Sequence, residues 1–100
     1  MNTIFLDRDG VINEDYGYVH KWENFDFIPG SLKALQILTK YEYKIIIVTN
    51  QAGIARGYYS EYDFKTLTNQ FYNFCKINNI KILDTIYCPH HKDGKIKKYI

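Results

Sequence analysis

An α/β fold, a parallel sheet flanked by helices, is predicted by two features of the sequence. Short apolar runs rich in β-branched residues alternate with segments of helical periodicity, and glycine, proline or asparagine falls between them. The resulting order is strand, helix, strand, helix, strand, then loop, and right-handed crossovers make such strands parallel. Ligands of these sheets bind beyond the carboxyl ends of the strands. The residues at those ends are therefore the first to ask about: Asp7 and Asp9, then Thr49 and Asn50, then Cys88 and His90.

Thr3 to Leu6 is a short apolar run ended abruptly by Asp7-Arg8-Asp9-Gly10, which predicts a buried strand and then a loop. Residues 10 to 30 mix Gly10, Gly17, Pro29 and Gly30 with several aromatics and suit a structured loop or flap. Leu32, Leu35 and Leu38 then recur at helical spacing, predicting a helix from Ser31 to about Tyr41. Ile45-Ile46-Ile47-Val48 is a continuous β-branched run, the pattern of a parallel strand buried on both faces. Asn50 to Tyr59 holds Gly53 and Gly57 and predicts a second loop. Ser60 is the expected cap of a longer helix, with Asp63 in its first turn. Phe64, Leu67, Phe71, Phe74 and Ile77 recur on one face of that helix and are expected in the core, with Cys75 among them as a plain thiol. Asn78-Asn79 ends it, and Ile80 to Cys88 alternates as a third strand.

One hundred residues at 46% hydrophobic fit one domain, residues 1–100, with a modest core. A net charge of +2 spread over scattered lysines gives no basic stripe, which argues against a nucleic-acid partner. Lys92, Lys95, Lys97 and Lys98 read as a solvated end. No apolar run approaches membrane-spanning length, and Met1 to Leu6 is too short for a signal peptide. Cys75 and Cys88 do not form a disulfide framework. The expected setting is cytoplasmic, with no membrane partner.

Asp7 and Asp9 stand at i and i+2, so an extended backbone would place both carboxylates on one side of the strand end. Two close carboxylates suit a hard divalent cation such as Mg²⁺. Such a site lets one carboxylate attack phosphorus and the other act as general acid and base. By itself Asp-x-Asp fits a solvated turn equally well. By themselves Thr49 reads as an ordinary strand end and Asn50 as a turn former.

Phe5-Leu6-Asp7-Arg8-Asp9-Gly10-Val11-Ile12-Asn13 resembles the first motif of the haloacid dehalogenase-like phosphatases. Val48-Thr49-Asn50-Gln51-Ala52-Gly53-Ile54-Ala55-Arg56-Gly57 is similar to their second. The resemblance implies a Rossmann-like parallel sheet with flanking helices, Asp7 as nucleophile, Asp9 as general acid and base, and Mg²⁺ on Asp7 and Asp9. Asn13 to His20 and Tyr87-Cys88-Pro89-His90-His91 extend it toward a narrower branch that acts on sugar bisphosphates or histidinol phosphate. That likeness covers nearly the whole chain. It implies a heptose 1,7-bisphosphate losing its 7-phosphate, with histidinol phosphate as the alternative.

The same resemblance implies that Asp15, Tyr16, Gly17, Tyr18, Thr49, Asn50, Gln51 and Ala52 line the pocket. Arg56 would serve a distal phosphate and Arg8 would lie near the site. Without the resemblance both arginines are ordinary loop charges. Cys88 and His90 match two ligands of a structural Zn²⁺ in a loop from about residue 88, although one Cys-x-His alone fits a surface loop. His91 is the weaker candidate ligand, and His20 has no derivable task.

The family also carries a later Cys-x-Cys, a third-motif lysine and a fourth acidic motif, none of which has a match before Ile100. The expectation is therefore a shortened domain, its C-terminal portion missing, that would be a monomer when complete. A phosphate-binding or assembly piece without turnover, or a zinc-dependent interaction piece, stays open beside the enzyme.

Overall fold

Three short strands frame the computed structural model, which describes residues 2–100. β1 (Thr3–Leu6), β2 (Lys44–Asn50) and β3 (Asp84–Cys88) form one parallel sheet in the order β1-β2-β3. Phe5 pairs with Ile46 and Leu6 with Ile47, while Val48 pairs with Ile86 and Asn50 with Cys88. The third strand is shorter than its alternating pattern predicts. Residues 80–83 lead into it, with the Leu83 N–H already bonded to the Ile45 carbonyl at 2.8 Å.

The two longer helices are α1 (Ser31–Lys40), which follows Gly30 at φ 88°, and α3 (Glu61–Ile77). Ser60 caps α3 as expected, and Asp63 completes a reciprocal box. The Asp63 N–H donates to the Ser60 hydroxyl at 3.1 Å, and the Ser60 N–H to the Asp63 carboxylate at 2.9 Å. Between β2 and α3 lies a single helical turn, α2 (Ala52–Ala55), where the glycines predict only loop.

Each strand is added on the same side of its predecessor. Right-handed crossovers of that kind put every connecting helix on one face of the sheet. Accordingly Leu35 of α1, Leu67, Phe71 and Cys75 of α3, and Ile45 and Ile47 of β2 share one core. Each fully buried side chain there is worth roughly 1.5–3 kcal/mol. The opposite face is open: Phe5 is 61% exposed, Val48 41% and Ile86 49%. The expectation that β2 is buried on both faces is thus corrected, because the same β-branched run meets helices on one side only. Ile77 is corrected too, being 81% exposed. At about 100° per residue it lies nearly opposite Cys75, which takes the inward position.

Residues 10–30 are pinned, not free. Glu14 N–H bonds the Asp26 carbonyl at 2.7 Å and Ile28 N–H bonds that of Ile12 at 3.0 Å, holding the segment's two arms together. A short 3-10 turn, Trp22–Asn24, and the aromatics around it then pack on α3. Phe25 lies 5.4 Å from Phe71 and Phe27 5.1 Å from Phe74, between ring centres. Aromatic pairs at this range add to ordinary burial. No helix among the described residues is long and apolar enough to cross a membrane.

Candidate active site

The chain turns immediately after Asp7. The Arg8 carbonyl accepts N–H groups from Val11, Ile12 and Asn13, so the backbone is not extended through Asp9 as the i, i+2 argument assumed. Asp7 is exposed, and no ion pair involves it among the described residues. Asp9 is instead held from three directions. Arg8 Nε donates to Oδ1 at 3.1 Å, Asn13 Nδ2 donates to Oδ1 at 2.9 Å, and Gln51 Nε2 approaches Oδ2 at 3.5 Å.

Arg8 itself is only 4% exposed. Its Nη2 donates to the Val19 carbonyl at 2.7 Å, and its guanidinium lies over the rings of Phe25 and Phe64 at 5.8 and 5.9 Å. Arg8 Nε and Nη2 are spent on Asp9 and the Val19 carbonyl, in place of the substrate contact expected for this residue. The residue ties the Asp loop to the flap and to α3, a planar cation wedged between aromatic faces.

At the end of β2, Thr49 faces the covered side and is 3% exposed, while Asn50 faces the open side. Gln51, 2% exposed, donates through Nε2 to Thr49 Oγ1 at 2.9 Å. Its Oε1 accepts from the hydroxyl of Tyr59. Burial pushes the Tyr59 phenol up to about 12, so it remains a donor across the ordinary pH range. Tyr59 is the residue that sequence reasoning missed. Its one signal is a large aromatic six residues after Gly53, where a Cβ would run into the Tyr59 ring. Asn13 was seen only as part of a motif. Its side chain is fully buried, with Nδ2 on Asp9 and Oδ1 unpartnered among the described residues.

The flap reaches this network through Tyr18 and His20. Tyr18 lies over Gly53 and meets Tyr58 edge-on at 4.8 Å, and the His20 ring stacks flat on Tyr59 at 4.8 Å. The task that the sequence left open for His20 is therefore to cover Tyr59. Its Nδ1–H donates to the Tyr18 carbonyl at 2.8 Å, which fixes the ring. Asp15 and Tyr16 are spent within the flap. Asp15 accepts the Gly17 N–H at 3.0 Å, and the Tyr16 hydroxyl donates to Asp26 at 2.8 Å. Ala52 opens α2, and Arg56 follows its last residue, with Nη2 3.4 Å from His91 Nε2.

Cys88 and His90 are both exposed. The described residues contain no group of three or more His, Cys, Asp or Glu side chains placed to hold a metal ion. A closed structural zinc site takes four ligands, of which Cys88 and His90 supply two. The loop that follows is anchored otherwise. Lys95 and Ile96 N–H groups both bond the Ala55 carbonyl, at 2.7 and 2.9 Å. Tyr87 and Tyr99 hydroxyls both donate to the Glu61 carboxylate, at 2.6 and 2.5 Å. Those two hydrogen bonds hold the Glu61 carboxyl below its usual range, and the Glu61 carboxylate in turn pushes Tyr87 up to about 12. For Mg²⁺, the Asp7 carboxylate fits as a ligand, being open. The Asp9 side chain is already committed to three donors.

A parallel sheet with a carboxylate loop after its first strand and a buried hydroxyl after its second has the fold of the haloacid dehalogenase-like phosphatases. The solved structures agree. The chain superposes on the D,D-heptose 1,7-bisphosphate phosphatase of B. bronchiseptica, complexed with magnesium and phosphate. The TM-score is 0.87 at 30% identity, over 95% of this chain and 54% of that one. A Mesorhizobium loti protein named as a HAD-like phosphatase matches at TM-score 0.88 and 28% identity, over 100% of this chain and 48% of its own. Among curated proteins the chain is similar to D-glycero-beta-D-manno-heptose-1,7-bisphosphate 7-phosphatase of Haemophilus influenzae, 50% identical over 93% of this chain and 50% of that protein. The D-glycero-alpha-D-manno-heptose-1,7-bisphosphate 7-phosphatase of Photorhabdus laumondii is 49% identical over 94% of this chain and 51% of its own length. The chain thus spans about half the length of the curated relatives it matches. No family model matches it.

Proposed function

We propose that this chain is the aspartate-loop half of a phosphatase that removes phosphate from a small sugar bisphosphate, with a heptose 1,7-bisphosphate as substrate and its 7-phosphate as the group released. The observation that carries the reading is the hydrogen-bonded run from Asp9 through Gln51 to Thr49, which joins the loop after the first strand, where Asp7 stands open, to the end of the second.

Asp7, open to solvent, is the nucleophile: its carboxylate oxygen attacks phosphorus, and the bond to the leaving oxygen breaks. Asp9 is the general acid that protonates that oxygen and the base that later activates water. Its hydrogen bonds from Asn13 and Arg8 keep it aimed. The Thr49 hydroxyl holds a non-bridging phosphoryl oxygen. Asn50 and Arg56 receive other parts of the substrate, and Tyr18 closes over it. Asp7 would hold Mg²⁺, which when bound supplies the positive charge that lets an anionic nucleophile approach a phosphate.

The test is phosphate release from heptose 1,7-bisphosphate and from histidinol phosphate with Mg²⁺, on this chain and on a form extended to the relatives' length. With Asp7 as the open carboxylate at the metal end, the chain alone is expected to turn over below about 1 s⁻¹, the floor of ordinary enzymes. The extended form is expected to exceed it on the heptose substrate. Preference for histidinol phosphate would move the substrate assignment. Phosphate binding without turnover in either form would leave a binding module in place of an enzyme.

A further inference from the structure

We infer that Tyr59 is a positioning residue for the phosphate-binding hydroxyl of Thr49, acting through Gln51; the inference rests on the phosphatase reading above and deepens it. The argument is one of donor and acceptor polarity along a buried chain of hydrogen bonds. A carboxylate accepts only, so the Gln51 group that approaches Asp9 must be its NH₂. Gln51 Oε1 then points the other way and can only accept. The partner there, the Tyr59 hydroxyl, must therefore donate.

Gln51 Nε2 also donates to Thr49 Oγ1 at 2.9 Å. Thr49 consequently spends a lone pair on Gln51, and its own proton must go elsewhere. The protein partner it has is the Asn50 carbonyl, at a long 3.4 Å. That proton is left available to an incoming anion. A hydroxyl free to rotate would first have to be turned from its other orientations to donate to a phosphate. Here the direction is set in advance, which is the kind of preorganisation that favours anion binding.

The surroundings hold Tyr59 to this one role. Its ring is sandwiched by the flat His20 ring, and its edge fills the space that a Cβ at residue 53 would need. The residue is 7% exposed and Gln51 2%, so neither amide nor phenol has water as a substitute partner. A phenol pushed up to about 12 by burial also keeps its proton at any pH used for assay. Glycine at position 53 and a histidine in the flap thus serve the same hydrogen bond from two sides.

The experiment is a double-mutant cycle with Mg²⁺ and inorganic phosphate as the probe, read by titration calorimetry on the full chain in its extended form. Tyr59→Phe keeps the ring and its stacking and removes only the donor. It is expected to weaken phosphate about tenfold, the worth of one neutral hydrogen bond. Thr49→Val should weaken phosphate at least as much, and the double variant should be no worse than Thr49→Val alone. Tyr62→Phe, the same change at an exposed tyrosine, should stay within about twofold of wild type. A role in folding alone would lower the melting temperature of Tyr59→Phe and leave phosphate affinity unchanged. Tyr59→Phe within about twofold of wild type, or additive losses in the double variant, overturns the inference and leaves the phosphatase reading standing. A wild-type protein that binds no phosphate overturns both.

Discussion

The two faces of the sheet carry similar residues and meet opposite surroundings. Ile45 and Ile47 point to α1 and α3 and are buried completely, whereas Phe5, Val48 and Ile86 point the other way and are open. The same division runs on into the site. Thr49, on the covered parity, is buried and hydrogen-bonded, as is Gln51, and the half-buried Asp9 carboxylate next to it is hydrogen-bonded too. Asp7, Asn50 and Cys88 follow the open parity and are exposed. One side of the strand ends is thus prearranged by the core, and the other side is left free to react or to receive a partner. A polar group can be aimed to tenths of an ångström only where packing leaves it no alternative rotamer.

The largest effect expected from breaking this division is at Asp7. In an active extended form, Asp7→Asn should reduce phosphate release to background with the melting temperature unchanged, because an exposed side chain holds nothing else together. Near-normal turnover in that variant would remove Asp7 from the role. On the covered side, Asp9→Asn should cost about 10²–10⁴ in turnover and, unlike Asp7→Asn, should also lower stability. Its charge answers the buried Arg8 guanidinium at 3.0 Å, and an amide would leave that cation without its counter-charge. Equal melting temperatures for the two variants would erase the contrast drawn here.

Core substitutions sharpen the comparison without touching chemistry. Leu67→Ala, beneath the covered face, should cost about 2–5 kcal/mol in urea unfolding. Val48→Ala, on the open face of the same sheet, should cost clearly less, toward the roughly 0.5 kcal/mol typical of surface changes. Similar losses at both would mean that something covers the open face in solution.

The smallest effect concerns pH. Glu61 has its carboxyl lowered by the hydroxyls of Tyr87 and Tyr99, so its contribution is present above the ordinary glutamate range and is lost as pH falls through the lowered value. Below about pH 4, near the unperturbed range, amide exchange in residues 95–99 should speed up while that of α3 does not. Glu61→Gln should show the same loosening already at pH 7. Unchanged exchange in the tail would show that the Ala55 carbonyl holds it without help from Glu61.

Local pattern carried the element order, the Ser60 cap, the boundaries of α1 and the identity of the residues at the strand ends. Each follows from near neighbours in the chain: helical spacing, a side chain that bonds its own backbone, a polar residue where an apolar run stops. The motif around Asp7 and Thr49 pointed to the fold found in the solved relatives. Local pattern misplaced Ile77 and Arg8, since burial depends on where an element ends against its neighbours. For Tyr59 it offered only the spacing from Gly53, and not the bond to Gln51.

What the sequence by itself determined, then, is which groups stand at the carboxyl ends of three parallel strands. Tertiary structure decided which of them are aimed and which are free. A continuous run such as Ile45-Ile46-Ile47-Val48 has the same composition on both faces, and only the direction in which successive strands are added places both helices over one of them. That choice buries Thr49 and Gln51 beside Tyr59 and leaves Asp7 open, because hydrogen-bond polarity and burial are properties of contacts between segments far apart in the chain.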